Sequence, residues 1–124
     1  MNEQQDIQIS LDPAWERATI RVGTETRNVP FFRGFSKSQA EEYVLWLACV
    51  LSKEMKAGVT FSTRAWWVEA FGMTVVDVTA CAVTEAGDYQ ERKCTLYDVE
   101  QVPAKIVVLH HIEELRKLIQ EVSK

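Results

Sequence analysis

The fold is decided by residues 73–99, which read MTVVDVTACAVT, then EAGD, then YQERKCTLYDV. Residues 73–84 are rich in Val and Thr, which favour strands, and they would place apolar side chains on both faces of a strand. Gly and Asp within residues 85–88 are typical of a turn, and residues 89–99 favour a second, more polar strand. This segment therefore predicts a long antiparallel hairpin.

Two shorter strands are predicted near the N-terminus. Apolar and polar residues alternate over residues 7–11 and again over residues 18–22, which is the period of a half-buried strand. An Asp-Pro pair at residues 12–13 predicts the turn between them. Residues 27–32 favour a third strand, which Pro30 confines to the edge or the end of a sheet.

A helix is predicted in the middle of the chain. Ser36 and Gln39 have the spacing of a capping box, and the helix that follows extends to about residue 56. Ala57 and Gly58 provide its C-terminal stop. Apolar residues cover most of its second and third turns, so we expect a central core helix that is covered on more than one side.

Residues 59–72 allow two interpretations. A short helix over residues 64–71, which Gly72 would end, is favoured over a strand. In a helix, Trp66 and Trp67 would lie about 100° apart and present one broad aromatic surface, whereas in a strand they would point to opposite faces.

A second long helix is predicted at the C-terminus. Five of its apolar residues follow the spacing of a coiled-coil seam: Val108, Ile112, Leu115, Ile119 and Val122. This stripe would either join two copies of the chain in a homodimer or pack on the chain's own sheet, as short stripes more often do.

These elements predict an α+β fold. An antiparallel sheet, in the element order β-β-(β)-α-(α)-β-β-α, is expected to carry the central apolar helix and the C-terminal amphipathic helix on one face. Residues 1–5 are expected to form a flexible tail, and residues 6–124 a single domain.

Charge and composition disfavour several classes of function. Fourteen Lys and Arg against eighteen Asp and Glu give a net charge of −4, without the basic clusters that nucleic-acid binding requires. The three cysteines have no CxxC spacing and are expected to be reduced, mostly buried thiols. The polar N-terminus and the short apolar runs predict a cytoplasmic protein without a membrane segment.

No set of reactive side chains indicates catalysis. His110, His111 and Glu114 are too few convergent ligands for a zinc site. Arg92 would lie on the same strand face as Cys94, but this spacing is not a specific signal of a reactive thiol. Glycine-rich phosphate loops are absent. Asp77 interrupts an apolar strand, and we expect it to face water on the outer side of the sheet. We therefore expect no catalytic residue, no metal and no cofactor.

Aromatic residues beside arginines are the strongest functional signal, because Trp, Tyr and Arg dominate binding hot spots. Two such clusters supply the candidate binding residues Trp66, Trp67, Arg64, Phe32 and Arg33. Adjacent rings cannot all point inward on a regular element, so at least one ring of each pair is expected at the surface.

The leading functional hypothesis is a small acidic interaction protein that binds another protein without catalysis, as an inhibitor, an immunity protein or an adaptor does. In size and charge the chain is similar to small acidic α+β proteins from phages and mobile elements. Residues 85–100 carry five acids against two bases and would steer the protein toward a basic partner.

The alternative is a small-molecule-binding domain or small enzyme. Its pocket would lie between the sheet and the core helix, lined by Trp46, Asp77, Tyr89, Arg92 and Tyr97.

Overall fold

A computed structural model of the protein describes residues 7–12, 17–29, 36–97 and 104–123. Over these ranges the elements are β1 (Ile7–Asp12), β2 (Arg17–Val22), β3 (Glu25–Val29), α1 (Lys37–Glu54), β4 (Thr60–Val68), β5 (Met73–Val83), β6 (Tyr89–Tyr97) and α2 (Ala104–Ser123). All neighbouring strands pair antiparallel, which confirms the predicted α+β class. Neither helix is long and apolar enough to cross a membrane.

The first three strands form an antiparallel meander, which we call sheet A. β2 lies in the middle and pairs with both neighbours. Its hairpin with β1 is the one that the alternating pattern predicted. Gly23 adopts a φ of 61° in the tight turn between β2 and β3, a conformation that glycine reaches without a steric penalty. Ile20 of β2 is fully buried and joins sheet A to the hydrophobic core.

The last three strands form sheet B, in the order β4-β5-β6. The predicted hairpin of β5 and β6 is confirmed, with pairing from Val75↔Tyr97 to Val83↔Tyr89. Side chains on a strand alternate between its two sides. Aligned residues Val76 and Leu96 belong to the core and mark the side we call the helix face, and the opposite side is called the outer face.

Both helices lie on the helix face of sheet B. α1 contacts β4 and β5, α2 contacts β5 and β6, and the two helices contact each other. Sheet A contacts α2 through β1 and β2, and it reaches α1 through Trp46, whose indole N–H donates to Glu25 of β3 at 3.0 Å. The helices therefore lie between two sheets, and α1 is the expected central core helix.

Both ends of α1 are closed by local hydrogen bonds. At the N-terminus, Ser36 and Gln39 form the predicted capping box. At the C-terminus, Lys56 N–H donates to Lys53 O and Ala57 N–H donates to Ser52 O, the bonding pattern of a Schellman motif. Lys56, with a φ of 55°, takes the left-handed position of this motif, so the predicted stop is confirmed for Ala57, whereas Gly58 does not take the left-handed position.

A side chain of α1 also bonds to the edge of sheet B. Because β4 is an edge strand, every second backbone N–H points away from β5. Glu41 accepts a hydrogen bond of 2.8 Å from the N–H of Ala65, and the Thr63 hydroxyl donates to the Glu41 carbonyl at 3.3 Å. These bonds fix α1 against β4.

The favoured short helix over residues 64–71 was wrong, because residues 60–68 form β4. This stretch contains Thr, Phe, Trp and Val, and it pairs with β5 along its whole length, from Thr60↔Cys81 to Val68↔Met73. Long-range pairing with β5 therefore outweighed the local capping signal. The expectation of one sheet also changes, because the six described strands form two sheets of three.

Candidate functional site

The outer face of sheet B carries aligned rows of side chains from its three strands. One row contains Trp66, Val75 and Tyr97, and the next contains Arg64, Asp77 and Thr95. Neighbouring strands lie about 4.8 Å apart, and successive rows on one face lie about 6.7 Å apart along a strand. The aromatic row is therefore adjacent to a polar row, and it lies near the β4–β5 turn.

Trp66, Val75 and Tyr97 form a feature that we call the aromatic cleft. Val75, on the central strand, is only 7% exposed, whereas Trp66 and Tyr97 on the flanking strands are 36% and 44% exposed. Val75 is buried but is not part of the hydrophobic core, because it lies on the outer face. With the flanking strands about 10 Å apart, the two exposed rings lie on either side of the covered valine, and an apolar side chain of a partner could pack against them.

Further exposed apolar side chains surround the aromatic cleft. Phe71, in the β4–β5 turn, is 68% exposed. On the other side, the Tyr97 ring makes an edge contact with the His110 ring of α2, at a centroid distance of 6.5 Å. Ile106 and Leu109, within one turn of His110, are also exposed. The apolar surface therefore continues from β4 across the sheet to α2.

The polar row beside the cleft contains an aspartate that accepts a hydrogen bond and an arginine that has no partner among the described residues. The Thr95 hydroxyl donates to Asp77 Oδ1 at 2.5 Å, and Asp77 lies on the outer face, as the alternation predicted. Arg64 is exposed, and it makes no hydrogen bond or ion pair with any residue in the described ranges. Its guanidinium group is therefore available to a ligand.

The far end of the outer face has a different character. Val83 and Tyr89 are exposed there, beside the acidic turn that contains Glu85 and Asp88. The Tyr89 hydroxyl donates to Cys81 Sγ at 3.0 Å, and this hydrogen bond raises the pKa of Tyr89. Polar rows separate this end from the aromatic cleft, so it provides matched positions for control variants.

The structure brings only part of the predicted binding set together. Trp66 and Arg64 lie two residues apart on the outer face, whereas Trp67 points to the helix face at the end of its strand and is 50% exposed. The strand conformation separates the two tryptophans, which the predicted helix would have joined. Phe32 and Arg33 lie outside the described residues.

The residues of the alternative pocket do not line one cavity. Asp77, Tyr89 and Tyr97 lie on the outer face, and of these only the Tyr97 ring, at the end of β6, reaches α2. Arg92 lies on the opposite face of β6, and Trp46 faces β3, where Arg27 stacks over its ring at 5.7 Å. The sequence placed these residues on the correct elements, but their orientations exclude a shared pocket between sheet and core helix.

The apolar stripe of α2 is buried within the chain. Its residues, at most 3% exposed, are Val108, Ile112, Leu115, Ile119 and Val122. They belong to the same core cluster as the helix face of sheet B. A homodimer through this stripe was therefore the wrong interpretation, since its packing on the chain's own core already buries it.

Tyr43 and His111 form a buried polar connection between the helices and β6. His111 Nε2 lies 3.0 Å from the carbonyl oxygen of Tyr97, which can only accept, so Nε2 carries the proton. His111 Nδ1 then accepts from the Tyr43 hydroxyl at 3.1 Å. Burial lowers the pKa of His111 to about 4 and raises that of Tyr43. The ring is neutral at pH 7, and its geometry serves to join α1, α2 and β6.

Cysteine and metal chemistry find no support in the described part of the chain. All three cysteines are free, and Cys49 is exposed rather than buried as expected. Burial, together with the charges of Glu114, Asp77 and Glu121, raises the pKa of Cys94 to about 11, which keeps it a thiol at neutral pH. No group of three or more His, Cys, Asp or Glu among the described residues is placed to hold a metal ion.

The sequence reasoning missed Val75, Phe71, Ile106 and Leu109 as parts of this surface. A period-2 interpretation of residues 60–68 would have placed Trp66 with Arg64, and Trp67 on the other face. Nothing in the sequence indicates that Tyr97 lies beside α2, because that contact depends on the packing of the two elements.

Comparisons with known protein families, curated proteins and solved structures found no match to this chain.

Proposed function

We propose that this protein is a non-catalytic, cytoplasmic interaction protein that binds another protein through the aromatic cleft and the apolar surface around it. The observation that carries the proposal is the exposure of Trp66 and Tyr97 on either side of the buried Val75. Large aromatic side chains exposed together are costly to leave in water, and they are the residues that anchor protein interfaces. The three free cysteines favour a reducing compartment.

The chemistry of the described residues supports binding rather than bond-making. The buried histidine is held neutral between Tyr43 and the Tyr97 carbonyl, and Cys94 is held as a thiol. The exposed outer face combines rings with an arginine that pairs with no other described residue, which is the composition of a binding hot spot.

Affinity capture with variants of the cleft tests the proposal. The wild-type protein and the Trp66→Ser and Tyr97→Ser variants are immobilised and exposed to lysate, and captured proteins are identified by mass spectrometry. We expect a specific partner that each variant binds about 30-fold more weakly, because each removes a ring that the partner buries.

Tyr89→Ser is the matched control, because Tyr89 is equally aromatic, exposed and on the same face, but lies at the far end. It should leave capture of the same partner unchanged, with circular dichroism confirming that all three variants are folded. Equal capture by the wild type and both cleft variants would contradict the proposal.

A small-molecule ligand of the cleft is the second candidate, favoured by the two exposed rings on either side of Val75. A thermal-shift screen distinguishes it, because a ligand that binds only the folded state raises the melting temperature. A ligand that stabilises the wild type and the Tyr89→Ser variant but not Trp66→Ser would favour this candidate over a protein partner.

A further inference from the structure

We infer that the aromatic cleft receives a protein segment that presents one apolar side chain with a carboxylate close beside it. This inference rests on the proposed function and specifies the chemistry of the partner. It follows from the cleft and from the charges in the rows next to it.

The cleft determines the apolar part of the segment. Its floor, Val75, is 7% exposed, and its two walls are rings that retain a third or more of their surface in water. Because Val75 is already covered, the surface that remains open is that of the two rings, whose strands lie about 10 Å apart. An extended segment or a turn that packs a single anchor side chain against these rings therefore fits.

Arg64 determines the charged part. It lies one row from the cleft on the same strand as Trp66, about 6.7 Å along it. The facing anion, Asp77, already accepts from Thr95, and no ion pair joins it to Arg64. Lys93 lies in the following row beside Thr79, so two cations flank one engaged anion. A carboxylate on the incoming segment would meet a net positive surface there.

The acid nearest the cleft, apart from Asp77, is Glu69 in the β4–β5 turn, which lies beyond Trp66 on the side away from Arg64. Glu85 and Asp88 are at the opposite end of the sheet, and Glu91 lies three rows from the cleft and two rows from Arg64. Three rows correspond to about 20 Å, which is twice the screening length of about 10 Å at 0.1 M salt. The negative charge of the acidic turn, from which a basic partner was predicted, is therefore largely screened at the cleft.

Three short peptides test the inference directly. Each is acetylated and amidated and carries one central phenylalanine, flanked on both sides by glutamate, by glutamine or by lysine. Binding to the ¹⁵N-labelled protein is followed by NMR. We expect shift changes at Trp66, Val75, Tyr97 and Arg64. The glutamate peptide should bind about three- to fivefold more tightly than the glutamine peptide, and the lysine peptide most weakly.

Arg64→Gln should abolish the preference for glutamate over glutamine while retaining binding of the glutamine peptide. Arg92→Gln, on the helix face of the same sheet, is the matched control and should keep the preference. Equal binding of the glutamate and glutamine peptides would overturn the inference and leave the proposed function standing. Absence of shifts at the cleft with all three peptides would also overturn it, whereas the proposed function fails separately if partner capture does not depend on Trp66 and Tyr97.

Discussion

His111 shows how one buried ring can make the stability of the whole chain depend on pH. It is 2% exposed, bonded to Tyr43 and to the Tyr97 carbonyl, and its pKa is lowered to about 4 from an ordinary value of 6.5. Above pH 6.5 the ring is neutral in both the folded and the unfolded chain. Between pH 6.5 and 4 only the unfolded chain binds a proton here, so the free energy of unfolding falls as the pH falls.

We expect His111 to reduce the free energy of unfolding by about 2 kcal/mol between pH 7 and pH 5. Urea denaturation at a series of pH values measures this dependence. The His111→Asn variant should show a much flatter profile over the same range, whatever its absolute stability. A profile as steep as that of the wild type would refute the assignment.

Glu54 and Arg116 form a second buried connection, between the end of α1 and the middle of α2. Arg116 Nη2 lies 2.7 Å from Glu54 Oε1, and the Glu54 side chain is only 1% exposed. Glu54 Oε2 and Arg116 Nε have no hydrogen-bond partner among the described residues. The pair is therefore incompletely satisfied, and its energetic value depends on both partners being present.

Arg116→Met should reduce the free energy of unfolding by about 3–5 kcal/mol, because it leaves a buried carboxylate without its partner. The double variant Glu54→Leu with Arg116→Met should recover most of that loss, since it removes both charges. Chemical denaturation of the three proteins measures the coupling. A double variant less stable than Arg116→Met would contradict this expectation. It would show that the ion pair itself stabilises the fold, and that the loss does not come from an unpaired carboxylate.

At the scale of elements, the C-terminus of α1 retains a local strain. Lys56 holds the left-handed position with a φ of 55°, which costs about 1–2 kcal/mol for a residue with a side chain. We expect Lys56→Gly to raise the free energy of unfolding by about 1 kcal/mol, since glycine relieves this strain. Lys53→Gly, inside the last turn of α1, should lower it by about the same amount. Thermal denaturation compares the two, and a destabilising Lys56→Gly would exclude the strain argument.

Elements with a local sequence signal were predicted, and those that depend on distant pairing were not. The capping box of Ser36 and Gln39 and the β5–β6 hairpin have their signals within a few residues of one another. The β4 segment contains a plausible helix cap and a stop at Gly72, and only its pairing with β5 decides the outcome. The orientation of Trp66 and Trp67, and with it the aromatic cleft, depended on that single decision.

At the scale of the whole molecule, one core connects all the layers. It includes Ile20 from sheet A, residues of α1 and α2, and the helix face of sheet B. The sequence predicted that both helices lie on one face of a sheet, but not that a second sheet lies on their other side. Local alternation identifies the strands of sheet A without indicating what they pack against.

We expect the protein to unfold in one cooperative transition, as a single domain does. Variants that retain only Trp46 or only Trp67, with Phe at the other tryptophan positions, report on the junction of α1 with sheet A and on sheet B respectively. Their fluorescence should change at the same urea concentration. Separate transitions would show that sheet A is an independent unit.

The hydrogen bond between Glu41 and the Ala65 N–H has a consequence beyond the single chain. That carboxylate occupies the position which the backbone of an added strand would need, so it protects a nine-residue edge from templated polymerisation. Glu41→Ala should therefore form thioflavin-binding fibrils on agitation, while Glu41→Gln, which keeps an oxygen acceptor, should stay in solution. Similar fibril formation by Glu42→Ala would contradict this expectation. It would show that the loss of one negative charge causes aggregation, whether or not the Ala65 N–H is hydrogen-bonded.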